Sequence, residues 1–127
     1  MHLVNMIELP NIREASLDLS TICQLRCKEC STAKGITHNS IIGRGQMSFK
    51  FFKYFIDNNP QIKRIEMSNW GEIFLNKDIA SIIKYAFEHN VVLYCGNGTN
   101  FNDVDEEVLE YLVKYKVEFL NLSIDGA

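Results

Sequence analysis

Four short β-type runs separated by three stretches of helical period leave this chain few folds to adopt. The runs lie at residues 16–20, 62–68, 91–95 and 117–124. Between the first two, Ser48 has the character of an N-cap, and Phe51, Phe52, Phe55 and Ile56 recur at helical spacing up to Asn58-Asn59-Pro60. Ile79, Ile82, Ile83, Ala86 and Phe87 form the second amphipathic stripe. A third helix begins near Asp103 or Asp105, with Val108, Leu109, Leu112 and Val113 predicted to face inward. Strands alternating with helices imply parallel βαβ units joined by right-handed crossovers. Such sheets gather their chemistry at the carboxyl ends of the strands.

The unusual residues of this chain fall at those ends. Cys23, Cys27 and Cys30 follow the first run, Trp70-Gly71-Glu72 the second, Gly96-Asn97-Gly98 the third, and Ser123-Ile124-Asp125-Gly126 closes the fourth. Thiolates in a C-x3-C-x2-C loop can converge on one inorganic centre at little loop-closure cost. Three ligands rather than four leave one position of that centre open, as in catalytic metal sites. A structural zinc site usually takes four ligands in paired C-x2-C units. Here there is one C-x2-C, and Cys95, His38 and His89 stand at irregular distances from it. Cys95 reads as a small core hydrophobe at a strand end. Four cysteines, three of them crowded and none preceded by a secretory signal, do not suggest a disulfide framework.

Composition narrows the function classes. A net charge of −3 with no basic run gives no electrostatic footprint for nucleic acid. No stretch approaches the roughly 18–20 apolar residues of a membrane span. The chain therefore reads as a cytoplasmic protein in a reducing compartment, with 127 residues giving room for one domain. Residues 34–46, with Gly35, Gly43 and Gly45, read as a flexible connection. Gly96-Asn97-Gly98 reads as a turn requiring positive φ, with Asn97 either a turn residue or a group facing the cavity.

The segment LDLSTICQLRCKEC resembles the signature of the radical S-adenosylmethionine (radical SAM) enzymes. SNWGEIFLNKDI resembles the family's second motif, GNGT its Thr-Asn-Gly turn with Gly96 in place of threonine, and NLSIDGA the fourth-strand ending of SPASM-type, peptide-modifying members. The resemblance implies a [4Fe–4S] cluster on Cys23, Cys27 and Cys30, with SAM as the second cofactor. It implies that Glu72 engages the amino group of SAM, with Gly71 allowing close backbone approach, and that Ser123 helps bind SAM. Asp125 reads equally as an orienting group and as an ordinary Asp-Gly strand terminator. The implied reaction is reductive cleavage of SAM to a 5′-deoxyadenosyl radical that abstracts hydrogen from substrate. The hard chemistry then belongs to the cofactors, and no side chain is assigned as a catalytic acid or base.

The sequence departs from the family in three further respects. Glu29 stands where an aromatic residue often lies near the adenine, and Ile73 replaces a usual proline. The third is length. The implied architecture is α/β, parallel βα units forming the first four strands of a partial (β/α)6 TIM-like barrel, and the last two units are missing. Residues 1–14 are expected to form a leader segment and residues 15–127 an incomplete core domain. A fragment of a longer protein, a chain completed by another chain, and a truncated relic are all compatible with this. An open sheet edge would favour self-association. Arg26, Lys28, Lys34 and Arg44 make the cysteine loop locally basic, suited to an acidic electron donor such as flavodoxin or ferredoxin. The substrate is unread, a peptide being one candidate. The alternatives in function are a non-catalytic iron–sulfur electron-transfer or binding module and an inactive fragment.

Overall fold

A computed structural model describes residues 11–124 of the chain. Four strands, β1 (Glu14–Ser16), β2 (Arg64–Glu66), β3 (Val92–Thr99) and β4 (Leu120–Leu122), form one sheet in the order β1-β2-β3-β4. Every neighbouring pair is parallel. Three helices make the crossovers: α1 (Phe49–Asn58), α2 (Ile79–Glu88) and α3 (Glu106–Lys114). The expected α/β architecture of four consecutive parallel βα strands is borne out. None of the described helices is long and apolar enough to cross a membrane.

Local sequence accounts for the helices. The Ser48 hydroxyl accepts from the Phe51 N–H and caps α1, which buries Phe52 and Ile56. In α2, Ile79, Ile82, Ile83 and Ala86 are buried and pack between the sheet and the flanking helices. Asn90 and Lys116, with φ of 57° and 53°, turn the chain out of α2 and α3 through the left-handed region. The third helix differs from expectation. Val108 and Leu112 are buried, but Leu109 is partly exposed and Val113 is 81% exposed. Helix α3 packs mainly on α2, so an i, i+4 stripe suffices and the broader apolar face is not covered. Phe87 is also partly exposed, its ring against Tyr115.

The strands follow the predicted sequence positions with two displacements. In-register Ala15, Ile65 and Leu93 turn toward the helical layer, and Ile65 and Leu93 are buried there. Leu17 still donates its N–H to the Glu66 carbonyl, and beyond it the chain leaves β2: Met67 donates to Tyr94, while Leu19 accepts from Met47 and Ser20 bridges to Gln46. The alternating run at 16–20 is therefore only partly ladder. The second displacement lengthens β3. Its predicted end at Cys95 is passed, and the strand continues to Thr99. Cys95 pairs with Leu120 and Thr99 with Leu122, so the extra β3 residues bulge. Gly98 takes φ of 106° in that bulge, and a Cβ there would meet the Ser123 hydroxyl at 2.6 Å.

On the other sheet face, Arg64 joins Glu14 and Glu118 and lies 3.7 Å from the Tyr94 ring centroid. This cluster ties β1 and β2 to the approach to β4 at the amino end of the sheet. At the carboxyl end the tie is a buried amide. Asn76 donates to the carbonyls of Leu19 (2.6 Å) and Met47 (2.9 Å) and accepts from the Asp78 N–H (2.8 Å). Replacing Asn76 by Leu should cost about 2–4 kcal/mol, because buried polar groups lose their partners. Urea denaturation checks this, and an unchanged midpoint would contradict it.

Candidate functional site

The loop after β1 is anchored before it reaches the first cysteine. Thr21 donates its N–H to the Gly45 carbonyl (2.9 Å), and its hydroxyl accepts from the Gly45 N–H (2.9 Å). The His38 ring meets the Thr21 carbonyl at 2.8 Å. The connection read as flexible, residues 34–46, is thus a series of hydrogen-bonded turns, with Gly35 and Gly43 at positive φ. Beyond Thr21, the Ile22 carbonyl accepts from the Glu72 N–H (2.8 Å), which brings the turn after β2 against the root of the cysteine loop.

Gly71 makes that approach possible. A Cβ at this position would stand 2.5 Å from the Ser20 carbonyl oxygen and 2.7 Å from Ile22 backbone atoms. The close backbone approach expected of Gly71 is therefore made to this chain's own backbone. The neighbouring Trp70 carbonyl accepts from the Thr32 hydroxyl, fastening the far side of the loop.

Glu72 is 2% exposed. Its Oε1 accepts from the Phe74 N–H (3.1 Å), capping the short 3-10 turn Ile73–Leu75, and from the Thr99 hydroxyl (2.5 Å). Its Oε2 accepts from the Asn100 N–H (2.7 Å). The carboxylate thus joins the turn after β2 to the end of β3. A second buried carboxylate, at the end of β2, makes a link to the middle of β3. Glu66, 5% exposed, accepts from the Ser68 N–H and hydroxyl and from the Gly96 N–H. The β3-side partners of the two carboxylates, Gly96, Thr99 and Asn100, are far away in sequence, so no local motif announced them.

A cavity of about 290 Å³ opens among these groups. Cys23, Cys27, Cys30, Gly71, Glu72 and Ser123 all line it, together with Leu25, Ser68, Trp70, Asn97, Gly98, Thr99 and Asn100. The six sequence-predicted positions within the described residues are therefore brought together; Asp125 lies outside the described residues. Cys95 is fully buried in β3 and does not line the cavity. Glu29 is exposed and pairs with Lys34 at 2.8 Å. Thr99 and Asn100 were missed by the sequence reading, which ended the third strand too early. The signal was the Thr-Asn pair just past the glycines, at the true end of β3.

Among the described residues, no three His, Cys, Asp or Glu side chains are close enough to hold a single metal ion. A mononuclear zinc centre draws its sulfur donors to about 2.3 Å. An iron–sulfur cube is wider and gives each thiolate its own iron. Three thiols line the cavity and the fourth cysteine, Cys95, does not, a donor set one short of the four that a structural zinc site takes.

The thiols differ in their surroundings. Burial pushes the Cys23 thiol up from its ordinary value; the Leu25 backbone N–H opposes this, and the nearby Glu72 and the other two cysteines add to it. Burial likewise raises Cys95, against a smaller opposing contribution from Ser68. Raised values lower the thiolate fraction near neutral pH, and only the thiolate alkylates. In the metal-free chain iodoacetamide should modify exposed Cys27 before Cys23, with Cys95 protected until unfolding, and the Cys23 rate should climb with pH. Mass mapping of the alkylated peptides checks the order; early labelling of Cys95 would contradict it.

No family model and no curated protein matches the sequence. Solved structures do match. BtrN in complex with AdoMet and 2-DOIA superposes with a TM-score of 0.69 at 18% identity, covering 90% of this chain and 46% of BtrN. BtrN in an open conformation gives 0.69 at 18% identity, covering 96% and 54%. Streptococcus suis SuiB bound to S-adenosylmethionine gives 0.65 at 20% identity, covering 82% and 23%. The chain spans about half of BtrN and a quarter of SuiB. It has the α/β fold of the matched part of these proteins.

Proposed function

We propose that this chain is a radical SAM iron–sulfur protein of oxidoreductase type, holding a [4Fe–4S] cluster on Cys23, Cys27 and Cys30. The observation that carries the reading is the convergence of those three thiols with the Trp70-Gly71-Glu72 turn on one cavity at the carboxyl edge of a parallel sheet. The fold likeness to proteins solved with AdoMet or S-adenosylmethionine supports the second cofactor. When bound, a reduced cluster supplies the electron that splits SAM to a 5′-deoxyadenosyl radical for hydrogen abstraction.

The chain's own residues bind and orient. The cysteine loop hangs from Thr21 and Ile22, so its thiols are held beside the turn that carries Glu72. A carboxylate has about four acceptor sites. Three on Glu72 are taken by Phe74, Thr99 and Asn100, which leaves one on Oε2 for the ammonium of SAM. The exposed hydroxyl of Ser123 stands on the β4 side of the cavity and offers a further contact, and Asp125 belongs to the same proposal. Trp70, partly exposed on the cavity wall, offers an aromatic surface that Glu29 does not. The substrate on this reading carries an abstractable C–H hydrogen, a peptide being the class suggested by the NLSIDGA resemblance. An acidic donor such as flavodoxin or ferredoxin would meet the basic loop, and the setting is a reducing cytoplasm.

Trp70 is the sole tryptophan, so its emission reports on the cavity directly. After anaerobic reconstitution, SAM should change that emission saturably in the wild-type chain. Cys→Ser variants at 23, 27 or 30 should lose both the cluster absorbance and the response, while Cys95→Ser should retain both. A cluster that forms yet leaves Trp70 indifferent to SAM would favour the electron-transfer module instead.

A further inference from the structure

Asn100 is the one side chain of β3's end that reaches a cysteine sulfur. Its Nδ2 lies 3.7 Å from Cys23 Sγ, within reach of an N–H···S hydrogen bond, and 3.2 Å from Gln24 Oε1. Its Oδ1 accepts from Gln24 Nε2 (3.2 Å) and from the Asn102 N–H (3.0 Å). The backbone donor at Asn102 fixes which end of the amide is oxygen, so the NH2 end faces the sulfur. The Asn100 backbone is held in turn by Glu72 Oε2. The following residue, Phe101, sits at φ of 56°, uncommon for a bulky side chain, with its N–H on the Thr99 hydroxyl and its ring edge-on to Phe74. The side-chain amide of Asn100 is thus engaged at both ends, and its direction is set.

Cys23 accordingly differs from its two partners. In the free chain its thiol can donate to Gln24 Oε1 at 3.8 Å. As a thiolate it cannot, and it becomes an acceptor for Asn100 Nδ2 and for the Leu25 N–H. Hydrogen bonds to ligand sulfur draw electron density from the metal and favour its reduced state. We infer that Asn100 is a positioning residue that donates to the Cys23 thiolate and raises the reduction potential of the group held there. The inference rests on the iron–sulfur reading of the three cysteines. It adds that the end of β3, through Glu72 and Asn100, couples the SAM side of the cavity to the electron-accepting side.

Potentiometric titration of the reconstituted full chain tests this, with iron and sulfide content measured alongside. Asn100→Ala should load as much cluster as wild type but shift the midpoint downward. The expected change is about fivefold to tenfold in the reduction equilibrium, roughly 40–60 mV for one electron. Asn100→Asp keeps the acceptor for the Asn102 N–H and places a carboxylate beside the sulfur, so it should shift the midpoint further in the same direction. It also serves if the alanine variant loads poorly. An unchanged midpoint in a loaded variant would overturn the inference while leaving the cluster reading intact. A wild-type chain that takes up no iron and sulfide would overturn both.

Discussion

The Glu72 carboxylate is the point on which this site depends. It is almost wholly buried, carries no cationic partner among the described residues, and is satisfied by donors from two separate stretches of chain. Burying an uncompensated carboxylate is expensive, so its hydrogen bonds strongly favour the one arrangement that supplies them. That arrangement sets the end of β3 against the turn after β2. The Glu72 backbone N–H then holds the root of the cysteine loop through Ile22. One residue therefore fixes three of the segments that wall the cavity.

The demand propagates outward. Gly71 must lack a side chain because Ser20 and Ile22 occupy the space a Cβ would take. Thr99 must lie at the end of β3 for its hydroxyl to reach Oε1, which requires the bulge at Gly98 and the left-handed turn at Phe101. Glu66 repeats the device nearer the sheet, accepting from Gly96 and so holding the glycine stretch of β3 in place. Of the two buried carboxylates only Glu72 lines the cavity, while Glu66 lies behind it in β2.

Local features of the fold were legible in the sequence, and long-range ones were not. Ser48, the 3.6-residue stripe from Ile79 to Ala86 and the β-branched run at Val91 specify their elements through neighbours in sequence. The cysteine spacing and the Trp-Gly-Glu turn located the site because both are short motifs that parallel topology brings to one edge. The end of β3 was misread because glycines usually end strands, whereas here they form a bulge within one. The true turn passes through Phe101, and a phenylalanine gives no hint of positive φ. Leu109 and Val113 show the opposite failure: apolar period alone cannot say how much of a helix face a neighbour will cover.

The central claim is that three cysteines hold a cluster with one iron left open to SAM. Mössbauer spectroscopy of the anaerobically reconstituted, iron-57-labelled chain, with and without SAM, tests it most directly. The account predicts that one iron of the cube is distinct from the others and that its isomer shift alone moves when SAM is added. Four iron environments that stay unchanged by SAM would contradict it.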